Sequence, residues 1–211
     1  MQLLGHVHAI YRYPVKSLAG ESLNEVTIDA DGIPGDRAAA LFVTAGHART
    51  GKTYRGKEHN LLHLTSDPRE AAELAKAGGV TVELRRGDHF FDAAPVSLLF
   101  DRWVEEVSAA LGRPLDFRRW RPNLFAHAAE DFQFSESDLN GALIEAGTAI
   151  LRVSESDKRC VTTTYDVETG EADPEVLRYV AQERDSVLGV YCDVELAGVV
   201  RAGDALRLRA R

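Results

Sequence analysis

The segment Asp157–Asp166, DKRCVTTTYD, sets one cysteine between two bases and three threonines. Lys158 and Arg159 precede Cys160, and Thr162, Thr163 and Thr164 follow it with three hydroxyls. Such a setting is electropositive and hydrogen-bonding, which favours a thiolate, the form that attacks an electrophile or holds a soft metal. A lone cysteine is also commonly inert core filler, so the surroundings must carry the distinction. The second cysteine supplies the contrast. In VYCDVEL, Val190, Cys192, Val194 and Leu196 alternate with Tyr191, Asp193 and Glu195, which sets Cys192 on the apolar face of a strand as a core thiol.

Bases recur at punctuated positions elsewhere. Lys16 and Ser17 follow Tyr-Pro in YPVKS, Arg37 ends GIPGDR, and Arg121 and Asn123 stand in RPNL. Arginine forks and a lysine point charge at loop ends suit an anionic ligand such as a phosphate or a pterin pyrophosphate tail, with Ser17 and Asn123 orienting it. Each base alone reads equally well as exposed surface charge. Other patterns carry less. GHARTGKT, Gly46 to Thr53, matches G-x-x-x-x-G-K-[ST] letter for letter, but no long helix can follow it before Asp67-Pro68, so it reads as a polar hairpin turn. His59 and His63 stand four apart in HNLLH without the glutamate of a zinc protease, and His6 and His8 share a strand face without a third ligand; all four read as structural. Glu105 and Glu106 are adjacent on a helix, hence about 100° apart, and read as a solvated face.

The elements that must position these residues are mostly strands. LLGHVHAIYRY, LNEVTIDA and AAALFVT in the first third, then LDFRRW, NLFAHA, AILRVSES, VLGVYCDVEL and ALRLRA, have strand composition between turn signals. Three helices are expected. Asp67 caps the first, with Pro68 at its start, Glu70 three after the cap and Gly78 at its exit; Leu99, Trp103, Val104, Val107 and Leu111 give the second a 3.6-residue period; Asp173-Pro174 opens the third. Helices too few for a doubly wound sheet point to an α+β, β-rich, barrel-like architecture. A boundary is expected at FFDAAPV, dividing residues 1–92 from 93–211, with the two parts packed as one unit.

Composition excludes several classes of function. The 33 acidic against 25 basic residues give a net charge of −8, which disfavours nucleic acid and anionic membrane as partners. No stretch approaches about 18 uninterrupted apolar residues and the start lacks a secretory pattern, so a cytoplasmic location is expected, where two free thiols are the default. Two cysteines cannot supply an iron–sulfur set.

In order along nearly the whole chain, YPVKSLAGE, GIPGDR, DAAPVSLL, RRWRPNL, KRCVTTTYDVETGE and GVVRAGDALRL resemble the MOSC family, the fold shared by the C-terminal domain of molybdenum cofactor sulfurase and the amidoxime-reducing molybdoenzymes. The resemblance implies a MOSC β-barrel-like core preceded by an N-terminal β-barrel subdomain. It implies the molybdenum cofactor, in its molybdopterin form, with Cys160 as the protein's thiolate ligand to molybdenum; Lys16, Ser17 and Arg37 at the pterin and its phosphate; Arg121 and Asn123 beside them; and Arg159 and Thr163 flanking the thiolate. The implied reaction is two-electron reduction of an N-hydroxylated or N-oxide small molecule, with electrons from a separate reductase or ferredoxin-type protein. Two alternatives use the same residues: a sulfur-transfer protein carrying a Cys160 persulfide, and a non-catalytic molybdopterin-binding module. The chain departs from its relatives in FSESDLNGALIEAG, where Leu139 falls near an expected tryptophan, and in GHARTGKTYRGKEHN.

Overall fold

A computed structural model of the protein describes residues 1–87 and 89–209. Strands β1 (Gln2–Arg12), β2 (Glu21–Leu23), β3 (Glu25–Ile28) and β4 (Ala39–Gly46) precede helix α1 (Pro68–Ala77). Strands β5 (Val80–Arg86) and β6 (Val96–Phe100) lead to α2 (Asp101–Leu111), and β7 (Leu124–Ala128), β8 (Leu143–Ala146) and β9 (Ala149–Lys158) to α3 (Pro174–Glu183). The described chain finishes with β10 (Val187–Leu196), β11 (Gly198–Arg201) and β12 (Ala205–Leu208).

Seven strands close a barrel in the order β12-β8-β9-β10-β6-β7-β1, because β1 also pairs with β12; β2 extends β1 outside the ring. Among the described strand pairs only β6 and β7 run parallel, since α2 crosses between them. Closure leaves the ring without an open edge. The expected β-rich α+β architecture is therefore present, with three short helices.

Alternation explains β1, where Leu4, Val7 and Ile10 are buried while His6 and His8 face out; bulges after Leu3 and Val7 shift the period. Strand β6 reads differently. All five of its residues are buried, so Leu99, expected on the helical stripe, belongs to a strand covered on both faces, and the helix begins only at Asp101. LDFRRW is not a strand. Asp116 accepts from the Arg118 amide at 2.8 Å and starts a 3₁₀ turn over Phe117–Trp120. LNEVTIDA splits at Asn24, its first part pairing with β1 and its second with β11, and strands β5, β8 and β11 were not expected. In β10, Cys192 is fully buried as expected, but the alternation fails beyond it and Leu196 is exposed.

The caps of α1 follow the sequence: Asp67 Oδ1 accepts from the Arg69 amide at 2.8 Å and Pro68 opens the helix. Glu70 accepts instead from the Thr65 hydroxyl, which takes the Asp67 amide. The Asp173 carboxylate caps no amide of α3 and pairs with Arg113 at 2.5 Å. Gly46–Thr53 forms the expected hairpin turn: Gly51 and Lys52 bond back to Val43, and apart from a single 3₁₀ turn at Leu62–Leu64 the next helix starts at Pro68. Among the described residues no helix is long and apolar enough to cross a membrane.

Two cores lie side by side. The larger fills the barrel and the space under α2 and α3, and it takes Leu4, Val7, Ile10, Val26 and Ile28 from the first strands. The smaller gathers Val15, Leu18, Leu41, Val43, Tyr54, Leu62, Ala71 and Ala75 between the β4–β5 hairpin and α1. The 92/93 boundary falls in the connection from β5 to β6, yet residues before it serve both cores.

Gly5 sits where β1 passes between β12 and β7, at φ 155°, and a Cβ there would lie 2.1 Å from the His127 carbonyl oxygen. Gly5→Ala should therefore cost about 2 kcal/mol or more of stability, read from the shift of a urea unfolding midpoint.

Candidate functional site

The loop after β1 is strapped to the start of β4: Val15 bridges Ala39 and the Lys16 amide donates to the Ala39 carbonyl at 2.8 Å. Leu18, fully buried, anchors the same loop in the smaller core and leaves Lys16 and Ser17 on a cavity wall. Arg37 enters from the GDR turn, its amide bonded to the Tyr13 carbonyl at 2.6 Å, and Arg121 ends the Phe117–Trp120 turn, its amide bonded to the Arg118 carbonyl at 3.0 Å. Ser17, Arg37 and Arg121 all adopt left-handed backbone, with φ of 72°, 47° and 53°. Such strain at non-glycine residues persists only where surrounding contacts over-determine it.

Tyr13 joins the two arginines. The Arg37 and Arg121 guanidinium carbons lie 4.7 and 4.2 Å from its ring centroid, and its hydroxyl donates to the Pro122 carbonyl at 3.2 Å. Burial raises the Tyr13 pKa to about 12 against the opposing pull of both cations. Arg37 is paired with Asp36, itself 2% exposed, whereas Arg121 Nη2 is buried with no hydrogen-bond partner among the described residues. Burial, with Arg37 alongside, lowers the Arg121 pKa to about 10.

Asn123 has a different place from the one expected. It is 1% exposed and lies behind the cavity wall, where Oδ1 accepts from Arg37 Nη1, the Ser97 amide and the Ser97 hydroxyl, and Nδ2 donates to the Tyr11 carbonyl. It positions Arg37 and does not line the cavity itself.

Cys160 caps a 3₁₀ turn, Val161–Thr164, at the end of β9. Its thiol is exposed and lies 3.1 Å from Thr162 Oγ1; Thr163 is buried, its hydroxyl donating to the Cys160 carbonyl at 2.9 Å. Arg159 turns away from solvent, bonding the Leu188 and Trp120 carbonyls at 2.6 and 2.9 Å and pairing with Asp157 at 2.7 Å. Arg119 bonds the Thr164 carbonyl and Asp166, both at 3.0 Å. Two arginines thus tie the turn that presents Arg121 to the turn that presents Cys160. Asp157 is 2% exposed; burial raises its pKa to about 6, although Arg159 and a hydrogen bond from Tyr191 pull it down. By contrast, burial pushes the Cys192 thiol far up.

These groups meet in one cavity of about 600 Å³, walled by Lys16, Ser17, Arg37, Arg121, Arg159, Cys160 and Thr163 among others. Nine lysine and arginine side chains face two carboxylates, Asp92 and Asp157, so an acidic protein has concentrated positive charge in its cavity. Asp92 pairs with Lys16 at 2.5 Å. Sequence reasoning missed Arg55 and Lys57, which the RGK triplet could have flagged, and Asp92, read only as punctuation in DAAP. His63 also reaches the wall, stacked on Tyr165 with its Nε2 2.8 Å from the Asp166 carbonyl oxygen, and burial lowers its pKa. His6 and His8 are exposed, Glu105 and Glu106 lie on the surface, and no cluster of three or more metal-ligating side chains occurs among the described residues. Leu139, near which the resemblance led us to expect a tryptophan, is fully buried in the barrel core and does not reach the cavity.

The MOSC domain family model matches residues 85–207, and that of the MOSC N-terminal beta barrel domain residues 4–88. Mitochondrial amidoxime-reducing component 1 of Xenopus laevis is 30% identical over 126 residues, a match that takes in 54% of this chain and 36% of that protein. The crystal structure of the YUAD protein from Bacillus subtilis superposes at a TM-score of 0.57 and 15% identity, covering all of this chain and 98% of that one. A crystal structure of a hypothetical protein superposes at 0.53 and 12% identity, covering 99% and 70% of the two chains. Both likenesses are of fold.

Because the Asp157 carboxyl sits above its ordinary value of about 3.9 in the folded protein, the unfolded chain gives up this proton first as pH rises, and stability falls between about pH 4 and 6. Asp157→Asn removes that dependence. Urea unfolding of the two proteins across this window should show their difference moving toward the variant by on the order of 3 kcal/mol, then holding level above pH 6. Tyr191→Phe should move the carboxyl midpoint, followed by infrared spectroscopy, higher still.

Proposed function

The chain belongs to the MOSC domain family, and on that premise we propose that it is a molybdenum cofactor-binding oxidoreductase that reduces N-hydroxylated or N-oxide small molecules. The observation that carries the reading is Arg121: a buried guanidinium with an orphaned Nη2, crowded by Arg37 around Tyr13, in the cavity that also exposes the Cys160 thiol. The donor set fits a phosphate-bearing pterin and a soft metal. Lys16, Ser17, Arg37 and Arg121 would hold the anionic end, and Cys160 would be the metal ligand. When bound, the molybdenum centre would supply the two-electron chemistry that removes oxygen from the substrate.

The chain's own residues do the rest. Thr162 orients the thiol from 3.1 Å, and the Arg159 and Arg119 ties fix the turn behind it. Asp157 holds a proton at its carboxyl until near pH 6, beside Tyr191 on the same wall. Asn123 fixes Arg37 from behind. Electrons would come from a separate reductase or ferredoxin-type protein. The exposure of Cys160 also suits a second reading, a sulfur carrier with a Cys160 persulfide, and the non-catalytic pterin-binding module needs only the cations.

Protein expressed with molybdate in a cofactor-competent host is expected to contain molybdenum and pterin and to reduce benzamidoxime with an artificial electron donor. Cys160→Ala should lose the metal, while Arg121→Ala should weaken pterin retention by roughly tenfold to a hundredfold through the loss of a charge-assisted contact. Full molybdenum content in Cys160→Ala would overturn the ligand role. Pterin retained with labelled sulfur lost in Cys160→Ser would favour the carrier.

A further inference from the structure

The cavity contains a second set of cations that the Lys16–Arg37–Arg121 group does not use. Arg55 and Lys57 both line it, on either side of Gly56. Gly56 is buried against the cysteine turn: a Cβ at that position would lie 2.6 Å from Thr162 Cγ2, and Thr162 Oγ1 is itself 3.1 Å from the Cys160 sulfur. The two cations therefore flank the point at which their loop presses on the residue touching the thiol. A single carboxylate, that of Glu58, serves both, which leaves the pair one net positive charge. Arg55 Nε is buried without a hydrogen-bond partner among the described residues, and Glu58 stands 3.7 Å from both Arg55 Nη2 and Lys57 Nζ, too far for a hydrogen bond to either. Of the other basic side chains on the wall, Lys16, Arg37, Arg118, Arg119 and Arg159 each pair with an aspartate, so their charge is already met.

We infer that Arg55 and Lys57 form an anion subsite beside Cys160 that selects substrates carrying a carboxylate or phosphate in addition to the group reduced. The planar Arg55 fork can accept either anion through paired N–H groups, and Lys57 adds a mobile point charge at the mouth. The inference rests on reading the site as a reductase, and it narrows the substrate to an anionic one.

Two probes test it, 4-carboxybenzamidoxime and neutral benzamidoxime, on the wild-type protein and on Arg55→Gln/Lys57→Gln. Lys57→Gln alone is the second variant, since that side chain is 48% exposed and its change leaves the packing of the loop alone. The wild-type preference for the carboxylated probe, as a ratio of kcat/KM, should fall roughly tenfold in the double variant and less in the single one, with molybdenum and pterin content retained. The preference should also shrink with added salt in the wild type. An unchanged ratio overturns the subsite, and so does loss of cofactor from the double variant, which would assign both residues to the cofactor. If the wild type holds no molybdenum, the reductase reading fails separately, and calorimetric titration with benzoate decides the subsite: binding weakened roughly tenfold by the double variant supports it, equal or absent binding overturns it.

Discussion

Two guanidinium groups on one tyrosine ring set the character of the cavity. Like charges this close and this far from water repel, and Asp36 offers a full ion pair to Arg37 alone. The fold holds them there by backbone force: left-handed conformations at Arg37 and Arg121, an Asn123 side chain locked to Ser97, and the parallel β6–β7 pair behind it. The unfavourable proximity is settled during folding, so an arriving anion meets donors already in place and pays little to organise them. A surface cluster of flexible lysines would have to be ordered at the moment of binding.

The same economy applies at the cysteine. Arg159 and Arg119, though basic and near the thiol, spend their donors on carbonyls and carboxylates of neighbouring turns. They act as cross-ties between two short 3₁₀ turns, neither of which has enough internal hydrogen bonds to be rigid alone. The thiol, the Arg121 edge and Lys158 are left without such ties among the described residues, and Arg55 and Lys57 share one carboxylate.

Much of this was legible in the sequence where local chemistry decides the outcome. Asp67-Pro68 starts its helix because a cap and a fixed φ act over a few residues, Asp173-Pro174 does so through the proline's fixed φ without a side-chain cap, and Cys192 is buried because alternation on β10 requires it. What was hidden depended on partners distant in sequence. Leu98, Leu99 and Phe100 form an apolar run that suits strand or helix, and only β7 and β10 on its flanks choose strand. LDFRRW has strand composition, but Asp116 competes for the Arg118 amide and turns the chain. Asn123 was expected at the ligand since it follows Arg-Pro; three donors converging on one oxygen could not be read from the motif. Arg55 and Lys57 were obscured by the nucleotide-binding pattern just before them, Gly46–Thr53, which folds as a hairpin turn.

The β1–β12 pairing has a temporal meaning. Gln2 lies opposite Leu208, so the ring closes between the first and last strands described, and the loops that carry Lys16 and Cys160, nearly 150 positions apart by number, line one cavity. Contacts between segments this far apart form late and slowly, after the loop-closure entropy has been met. A growing chain would display the Lys16 and Arg37 segment long before it has the cysteine turn to set against it. Ligand capture is thereby coupled to the meeting of distant segments: the cavity exists only once the Lys16 loop and the cysteine turn are both in place, and anything bound there would act as a clasp between them.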